Sequence, residues 1–340
     1  MYVMASITTI AKSLGISPST VSRALQKPQM VSAKTRHLVL QTAKEQGYLN
    51  KLTKGSYSLH NPSALIGILV ADLTNSFSNM IVKTVQDFAY SRNYSVVVGC
   101  TYEQSALEAQ LLKQWDCLNL KGIVAMPSQS FAATYRSFDS NIPVVMVDRT
   151  LPELSCDSVV VNNKGGMEQI LDHLTALGHK KIVVLSGSRK VYTFSERAEA
   201  AQNYANDIEV IDINAVEFDE LYMGAFEQTS ILLMRHGVSR PTAIVGANNA
   251  ITAGILYALN LKGIKIPDAV SVVAYGDSKW GRFYPTPVTS LRQPVEEMAT
   301  VAVRLLFERI NGKTGDFEHI CLEPMLLTRA STAGIAVSNR

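Results

Sequence analysis

The sequence predicts an α/β chain: two doubly wound parallel-sheet subdomains preceded by a small all-α headpiece built around a helix-turn-helix. Three observations lead there. Short runs that are apolar throughout recur along residues 64–330 and alternate with helix-length amphipathic stretches. The first fifty residues show a different texture, with helical spacing, caps and a turn glycine. Charge divides at the same place: residues 1–60 carry eight Lys and Arg against the single acid Glu45, while the remainder carries 24 basic and 28 acidic residues. A basic arm on a mildly acidic body is the asymmetry expected when one end of a chain meets phosphate and the other does not.

The headpiece reads residue by residue. Ser6 caps a helix in which Ile7, Ile10, Ala11 and Leu14 share one face, and Gly15 ends it by supplying positive φ. Ser17 caps a second helix with Pro18 at its first position, where a missing N–H costs nothing. Val21, Ala24 and Leu25 face inward and leave Ser19, Thr20, Ser22 and Arg23 outward. Ala11, Gly15 and Val21 thus provide the close-packing small residue, the turn and the buried β-branched residue of a helix-turn-helix, although any helical hairpin could show the pattern. Hydroxyls and a guanidinium suit base edges and phosphates. A third helix runs from the Ser32 cap to Gln46, before Gly47, and offers Lys34 and Arg36 to the sugar-phosphate backbone.

With TVSRAL followed by VSAKTR (31–36) and QGY (46–48), residues 1–49 resemble the headpiece of the LacI/GalR family of bacterial transcription regulators. The resemblance implies that Ser6, Ser17, Pro18, Ser19, Thr20, Ser22, Arg23, Val31, Ser32 and Thr35 form the DNA-binding set. Pro18 has no side-chain donor, so selectivity there would rest on shape or methyl contacts. Residues 50–63 depart from the family: no proline follows Tyr48, and Gly55 interrupts the hinge helix at roughly 1 kcal/mol relative to alanine. Tyr57 stands where a wedging leucine is expected. Either this stretch is a flexible linker, or it folds on DNA and inserts Tyr57 or Leu59 at a base step.

In the body, strands are predicted at 65–70, 96–99, 122–126, 143–147, 158–161, 181–186, 242–246 and 270–275. Helices are predicted at 77–93, 105–119, 164–177, 219–236, 249–262 and 294–310. Strands apolar on both faces alternating with helices mean parallel sheets covered on two sides, too many for one sheet, with a ligand cleft at the strands' carboxyl ends. ALGHKKIVVLSG (176–187) and VSVVAYGD (270–277) resemble the periplasmic sugar-binding fold that forms the core of the same family. Carried over by position, Phe77 would stack on a sugar ring, and Asp148 would accept from hydroxyls. Arg197 would be the main effector cation, with Thr193 beside it and Asn248 on the next loop. AYGDS and VDRTLP resemble the fructose and sucrose repressor branch.

Two departures bear on the ligand. Gly276, then Asp277, stand where many relatives have an aspartate directly after the tyrosine, so an acceptor is missing or displaced, with Asp277 kept in the expected effector-binding set, and Asn249 replaces another aspartate. Arg149 follows Asp148. Two arginines with one fewer carboxylate favour a sugar phosphate or sugar acid, unless Arg149 pairs with an acid such as Glu153.

Other chemistries lack a constellation. No GxGxxG, GxxxxGK[ST] or GxSxG is present, the six histidines are scattered, and the four cysteines form no CxxC, so neither cofactor nor metal nor catalytic activity is expected. The opening MYVMASITT is no export signal and no run is long enough to span a membrane, which predicts a cytoplasmic chain without membrane contact. A transport-type solute receptor would share the body but needs export and lacks a basic headpiece. The expected partners are double-stranded, pseudo-palindromic operator DNA, a small sugar-type effector and a second copy of the chain. The effector could release the operator or promote binding to it. Residues 331–340 read as a polar, frayed tail with no tetramerisation heptads.

Overall fold

The structure, a computed structural model, describes residues 6–26, 30–45, 64–128, 132–136, 142–151, 153–205, 208–235 and 240–335. The linker expected at 50–63, with Tyr57, lies outside the described residues. The chain divides into two units, Met1–Ser63 and Ala64–Arg340.

The first unit holds α1 (Ile7–Leu14), α2 (Pro18–Gln26) and α3 (Ala33–Glu45). Each helix starts on a serine. The amide of Thr9 donates to Ser6 Oγ (3.1 Å) and Ser6 N donates back to Thr9 Oγ1 (2.7 Å), a reciprocal cap with threonine in the third position. Ser17 Oγ accepts from Thr20 N (3.1 Å) and Ser32 Oγ from Thr35 N (3.2 Å). Gly15 sits at φ +64°, ψ 29°, the left-handed turn that its sequence position requires. Ile10, Ala11, Val21, Ala24, Val39 and Ala43 form the buried core, with Leu25 half-buried at its edge.

The second unit holds two six-stranded sheets. The first lobe orders β11-β5-β4-β3-β1-β2 from β1 (Ala64–Val70), β2 (Tyr94–Cys100), β3 (Ile123–Ala125), β4 (Val144–Val147), β5 (Asp157–Val161) and β11 (His319–Leu322), all parallel. The second lobe orders β12-β10-β9-β8-β6-β7 from β6 (Ile182–Ser186), β7 (Ile208–Asp212), β8 (Ala243–Gly246), β9 (Ser271–Tyr275), β10 (Thr289–Arg292) and β12 (Met325–Leu327). Here β12 runs antiparallel to β10, so this sheet carries one reversed edge strand.

Helices cover both faces of each sheet. In the first lobe α4 (Ser76–Tyr90) and α12 (Val295–Ile310) pack around Ile66, Val124, Val145 and Leu306, while α5 (Ser105–Trp115) covers the other face through Leu112 and Trp115. Trp115 lies so close to β1 and β2 that a Cβ at Gly67 would meet its ring at 2.6 Å and one at Gly99 at 2.9 Å. In the second lobe α7 (Asn163–Ala176) and α8 (Tyr192–Tyr204) cover one face, and α9 (Phe218–Leu232) and α10 (Asn249–Leu261) the other. Short α6 (Ala132–Arg136) and α11 (Lys279–Phe283) complete the set of described α-helices.

The chain passes between lobes three times, at residues 161–163, 292–295 and 322–325. Within the first lobe Asp157, its side chain 1% exposed, accepts from Arg309 Nε (2.8 Å) and Nη2 (2.9 Å) and from Glu318 N (2.8 Å), tying α12 to β5 and β11.

Four strands and three helices, the short α6 and α11 and the longer α8, escape the sequence pattern. β7 and β11 are edge strands with mixed exposure, and β12 is a three-residue edge. In β10 the polar Thr289 and Ser290 are fully buried, which hides a central strand behind hydrophilic letters. α8 buries Thr193, Phe194, Arg197, Ala198, Ala200 and Ala201, so its hydrophobic stripe is blurred. The tail also differs from expectation. Ser331 is fully buried, donating from Oγ to Val272 O (2.6 Å) and accepting from Thr289 N (2.8 Å), and Ile335 N donates to Leu177 O (3.0 Å). Polar letters there satisfy buried backbone groups of the second sheet instead of water.

Candidate effector cleft and nucleic-acid-reading helix

On the first unit, α2 exposes Pro18, Ser19 and Arg23, with Thr20 and Ser22 half-buried. Ser17 Oγ lies 2.8 Å from both the Ser19 and Thr20 hydroxyls, a cluster of three at the helix start. Lys12, Lys34 and Arg36 are exposed around it, and no acidic residue precedes Glu45. Ser6 is engaged as a cap, and Val31 packs partly against the core, so both have structural duties in addition to any at the surface. Ser32 and Thr35 share a hydroxyl contact at the α3 start.

In the second unit, the carboxyl ends of both sheets face one cavity of about 210 Å³. That is below the roughly 300–1,000 Å³ of pockets for drug-sized ligands and suits a small molecule. Asp72 and Phe77 follow β1, Glu103 follows β2, and Asp148 and Arg149 follow β4. From the other lobe come Thr193 and Arg197 after β6, Glu217 and Asp219 after β7, Asn248 and Asn249 after β8, Tyr275 in β9 and Gln293 after β10. Three of these positions take left-handed backbone without being glycine: Tyr102 (φ 48°), Glu103 (φ 58°) and Asp148 (φ 68°). Such residues cost on the order of 1–3 kcal/mol each and cluster where side chains must be aimed at a ligand.

Arg149 is buried, and both of its terminal nitrogens are engaged. Its Nη1 and Nη2 each donate to a Glu103 oxygen at 2.6 Å, Nη1 also reaches Pro127 O (3.2 Å), and Nε lies 3.4 Å from Asp148. Burial opposes its charge, yet Glu103 and Asp148 raise its pKa above the ordinary value. Arg197 donates from Nε to Asn163 Oδ1 and from Nη1 to Ala247 O, both at 2.8 Å, and stacks 3.8 Å above the Tyr275 ring. Burial raises the Asp148 pKa against the pull of both arginines. It also pushes the Tyr275 phenol up to about 12, with Arg197 opposing.

Of the residues expected at the effector site, the structure brings Phe77, Asp148, Arg149, Thr193, Arg197 and Asn248 to this cavity. Phe77 also packs on the first lobe's core, and Asn248 spends its Oδ1 capping α10 through Ile251 N (2.8 Å). Two expectations need correcting. Arg149 pairs with Glu103 and not with Glu153, and five acids line the cavity against two arginines, so the cleft does not have the surplus of cations read from the sequence. Asp277 does not line this cavity. Its side chain, 2% exposed, accepts from Arg329 Nη2 (2.8 Å), Arg282 Nη2 (2.8 Å) and Arg292 Nε (2.9 Å). Residues missed were Glu103, Glu217, Asp219 and Gln293. Glu103 follows a predicted strand, so the carboxyl-end rule pointed to it; Gln293 follows β10, which the pattern hid.

The lacI family pattern of bacterial regulatory proteins matches residues 6–50, and a periplasmic-binding-protein-like domain matches residues 171–332. The chain thus carries a LacI-type N-terminal domain and a periplasmic-binding-protein-like core. Among LacI-family relatives, a ribose operon repressor of Halalkalibacterium halodurans is 29% identical over 97% of this chain and 98% of its own. The solved lac repressor dimer bound to operator and an anti-inducer aligns over 97% of this chain and 99% of that one, at a TM-score of 0.69 and 22% identity. A LacI-family regulator from Enterococcus faecalis with bound ribose covers 80% of this chain and 99% of that chain, at TM-score 0.71 and 22% identity. At that identity the two structures speak for the fold alone: a LacI-type headpiece region and two parallel-sheet lobes. The LacI family consists of transcription regulators, and no described helix here is long and apolar enough to cross a membrane.

Proposed function

We propose that the chain is a cytoplasmic, non-enzymatic transcriptional repressor of carbohydrate-metabolism genes, whose grip on its operator is set by a sugar-type effector in the cleft. The observation that carries this reading is the pairing of two surfaces on one chain. An acid-free helix-turn-helix exposes hydroxyls and cations, and a small polar cavity collects the carboxyl ends of two sheets. The DNA-reading set is Ser6, Ser17, Pro18, Ser19, Thr20, Ser22, Arg23, Val31, Ser32, Thr35 and Tyr57. Phe77, Asp148, Arg149, Thr193, Arg197 and Asn248 serve the effector, and Asp277 serves the fold beside them.

A second copy of the chain completes the reader, because helix-turn-helix units address pseudo-palindromes in pairs, with half-sites about one turn apart. Apolar side chains for that contact stand on the second lobe: Met223, Tyr257, Leu261 and Phe283 are 46%, 44%, 63% and 84% exposed. Effector that prefers one closure state of the lobes shifts operator affinity by that preference alone, typically 1–3 kcal/mol. Release of the operator by ligand is the default direction. The test is to select bound duplexes from a random pool and then titrate sugars into the selected complex. A duplex preference that responds to a sugar supports the reading; the absence of any preferred duplex overturns it.

A further inference from the structure

Among the described residues, three buried side-chain atoms in the cleft have no hydrogen-bond partner: the acceptor Oδ1 of Asn249, the donor Nε2 of Gln293, and Arg149 Nε, which has only the Asp148 carboxylate 3.4 Å away. Asn249 and Gln293 line the cavity of about 210 Å³, and both also border the larger groove that adjoins it. Asn249 is admitted by its neighbour. A Cβ on Gly276 would stand 2.7 Å from Asn249 Oδ1, so the glycine clears the volume into which the amide projects. Buried polar atoms are normally satisfied, and an orphaned donor and acceptor in the same small cavity mark what the absent occupant must supply.

The charges point the same way. Both terminal nitrogens of Arg149 are taken by Glu103, and Arg197 is held by Asn163, Ala247 and the Tyr275 face. Asp72, Glu103, Asp148, Glu217 and Asp219 line the cavity. The cleft therefore presents acceptors in excess of free donors. A phosphate dianion or carboxylate only accepts, so it leaves Asn249 Oδ1 unmet and faces the acids at close range. A hydroxyl both donates and accepts.

Resting on the sugar-type reading above, we propose that the effector is an uncharged polyhydroxy compound and that Asn249 determines this specificity. Neighbouring hydroxyls of the ligand donate to Asn249 Oδ1 and to Asp148, and accept from Gln293 Nε2. Glu103 contributes by neutralising Arg149, which otherwise would admit an anion.

The test is calorimetric titration of the full chain with a panel of D-pentoses and D-hexoses. Ribose 5-phosphate, fructose 6-phosphate and D-gluconate are the anionic members. A neutral sugar is expected to bind at least about tenfold tighter than any anionic member. Asn249→Leu, which keeps the branched heavy-atom outline and removes the acceptor, is expected to reduce that ratio by about tenfold. Glu103→Gln, which leaves Arg149 with excess charge, is expected to shift the ratio toward the anions. Because each ratio is taken within one variant, inactive material cancels. A wild-type preference for an anionic member, or a ratio that neither variant moves, overturns this inference and leaves the sugar reading standing. Failure of every member of the panel to bind overturns the sugar reading, and this inference with it.

Discussion

Replacing Asp277 separates a residue that holds the second lobe together from one that holds a ligand. Its carboxylate gathers Arg329, Arg292 and Arg282, and Ser290 Oγ donates to it as well (3.2 Å). The three arginine side chains are unequal: Arg329 is 18% exposed, whereas Arg282 and Arg292 are 43% and 45% exposed. Breaking a fully buried pair costs about 3–5 kcal/mol, but the two half-exposed partners regain water and account for at most about 1 kcal/mol each. Arg329 supplies the larger share, about 1.5–3 kcal/mol for a charged hydrogen bond. Asp277→Ala should therefore destabilise the core by about 2–4 kcal/mol, read as a lower urea midpoint at unchanged slope. Burial works against the Asp277 charge, but Arg329, Arg292 and Arg282 together hold its pKa below the usual carboxylate value. The contribution is thus fully present above the unfolded carboxylate pKa and lost as pH falls through the folded one, so wild type and variant converge in strong acid. An unchanged midpoint together with a large loss of sugar affinity would refute this argument and return Asp277 to the ligand set.

Arg23→Ala is expected to weaken operator binding by about 1–3 kcal/mol and relax base preference, measured by repeating the duplex selection. Lys34→Ala should instead weaken all duplexes alike and lower the salt slope by about one, read from anisotropy titrations across ionic strength. If Tyr57 wedges into the minor groove, Tyr57→Ala should sharply reduce the operator's bend angle in circular-permutation gel shifts; a wild-type angle assigns the kink elsewhere. Asp157→Ala leaves Arg309, 9% exposed, without its carboxylate and should cost about 3–5 kcal/mol in urea unfolding. A loss under about 1 kcal/mol would mean that the guanidinium rehydrates.

How much could be read before the fold was known follows from the range of the forces involved. The three headpiece helices, their serine caps and the Gly15 turn are short-range facts: a cap bonds an amide three residues on, and a helical face repeats every three or four. The eight apolar runs are equally local, because a strand covered on both sides needs β-branched residues at consecutive positions. All eight appear as strands, β1 (Ala64–Val70) among them, at nearly the expected bounds. Strands whose buried positions are polar, such as β10 (Thr289–Arg292), gave no such signal.

The amino-acid order by itself therefore determined the helix-turn-helix, the two-sheet body and the loops that carry most of the cavity-lining residues. Only the tertiary structure decided which charges cancel. Arg149 meets Glu103 from 46 positions away, Asp277 gathers arginines 5, 15 and 52 positions along the chain, and Ser331 and Ile335 bond backbone that lies far earlier. A buried charge takes whichever partner the topology brings within about 3 Å, since desolvation leaves no alternative in water. That partner's identity is a property of the sheet order and leaves no periodicity in the chain to read.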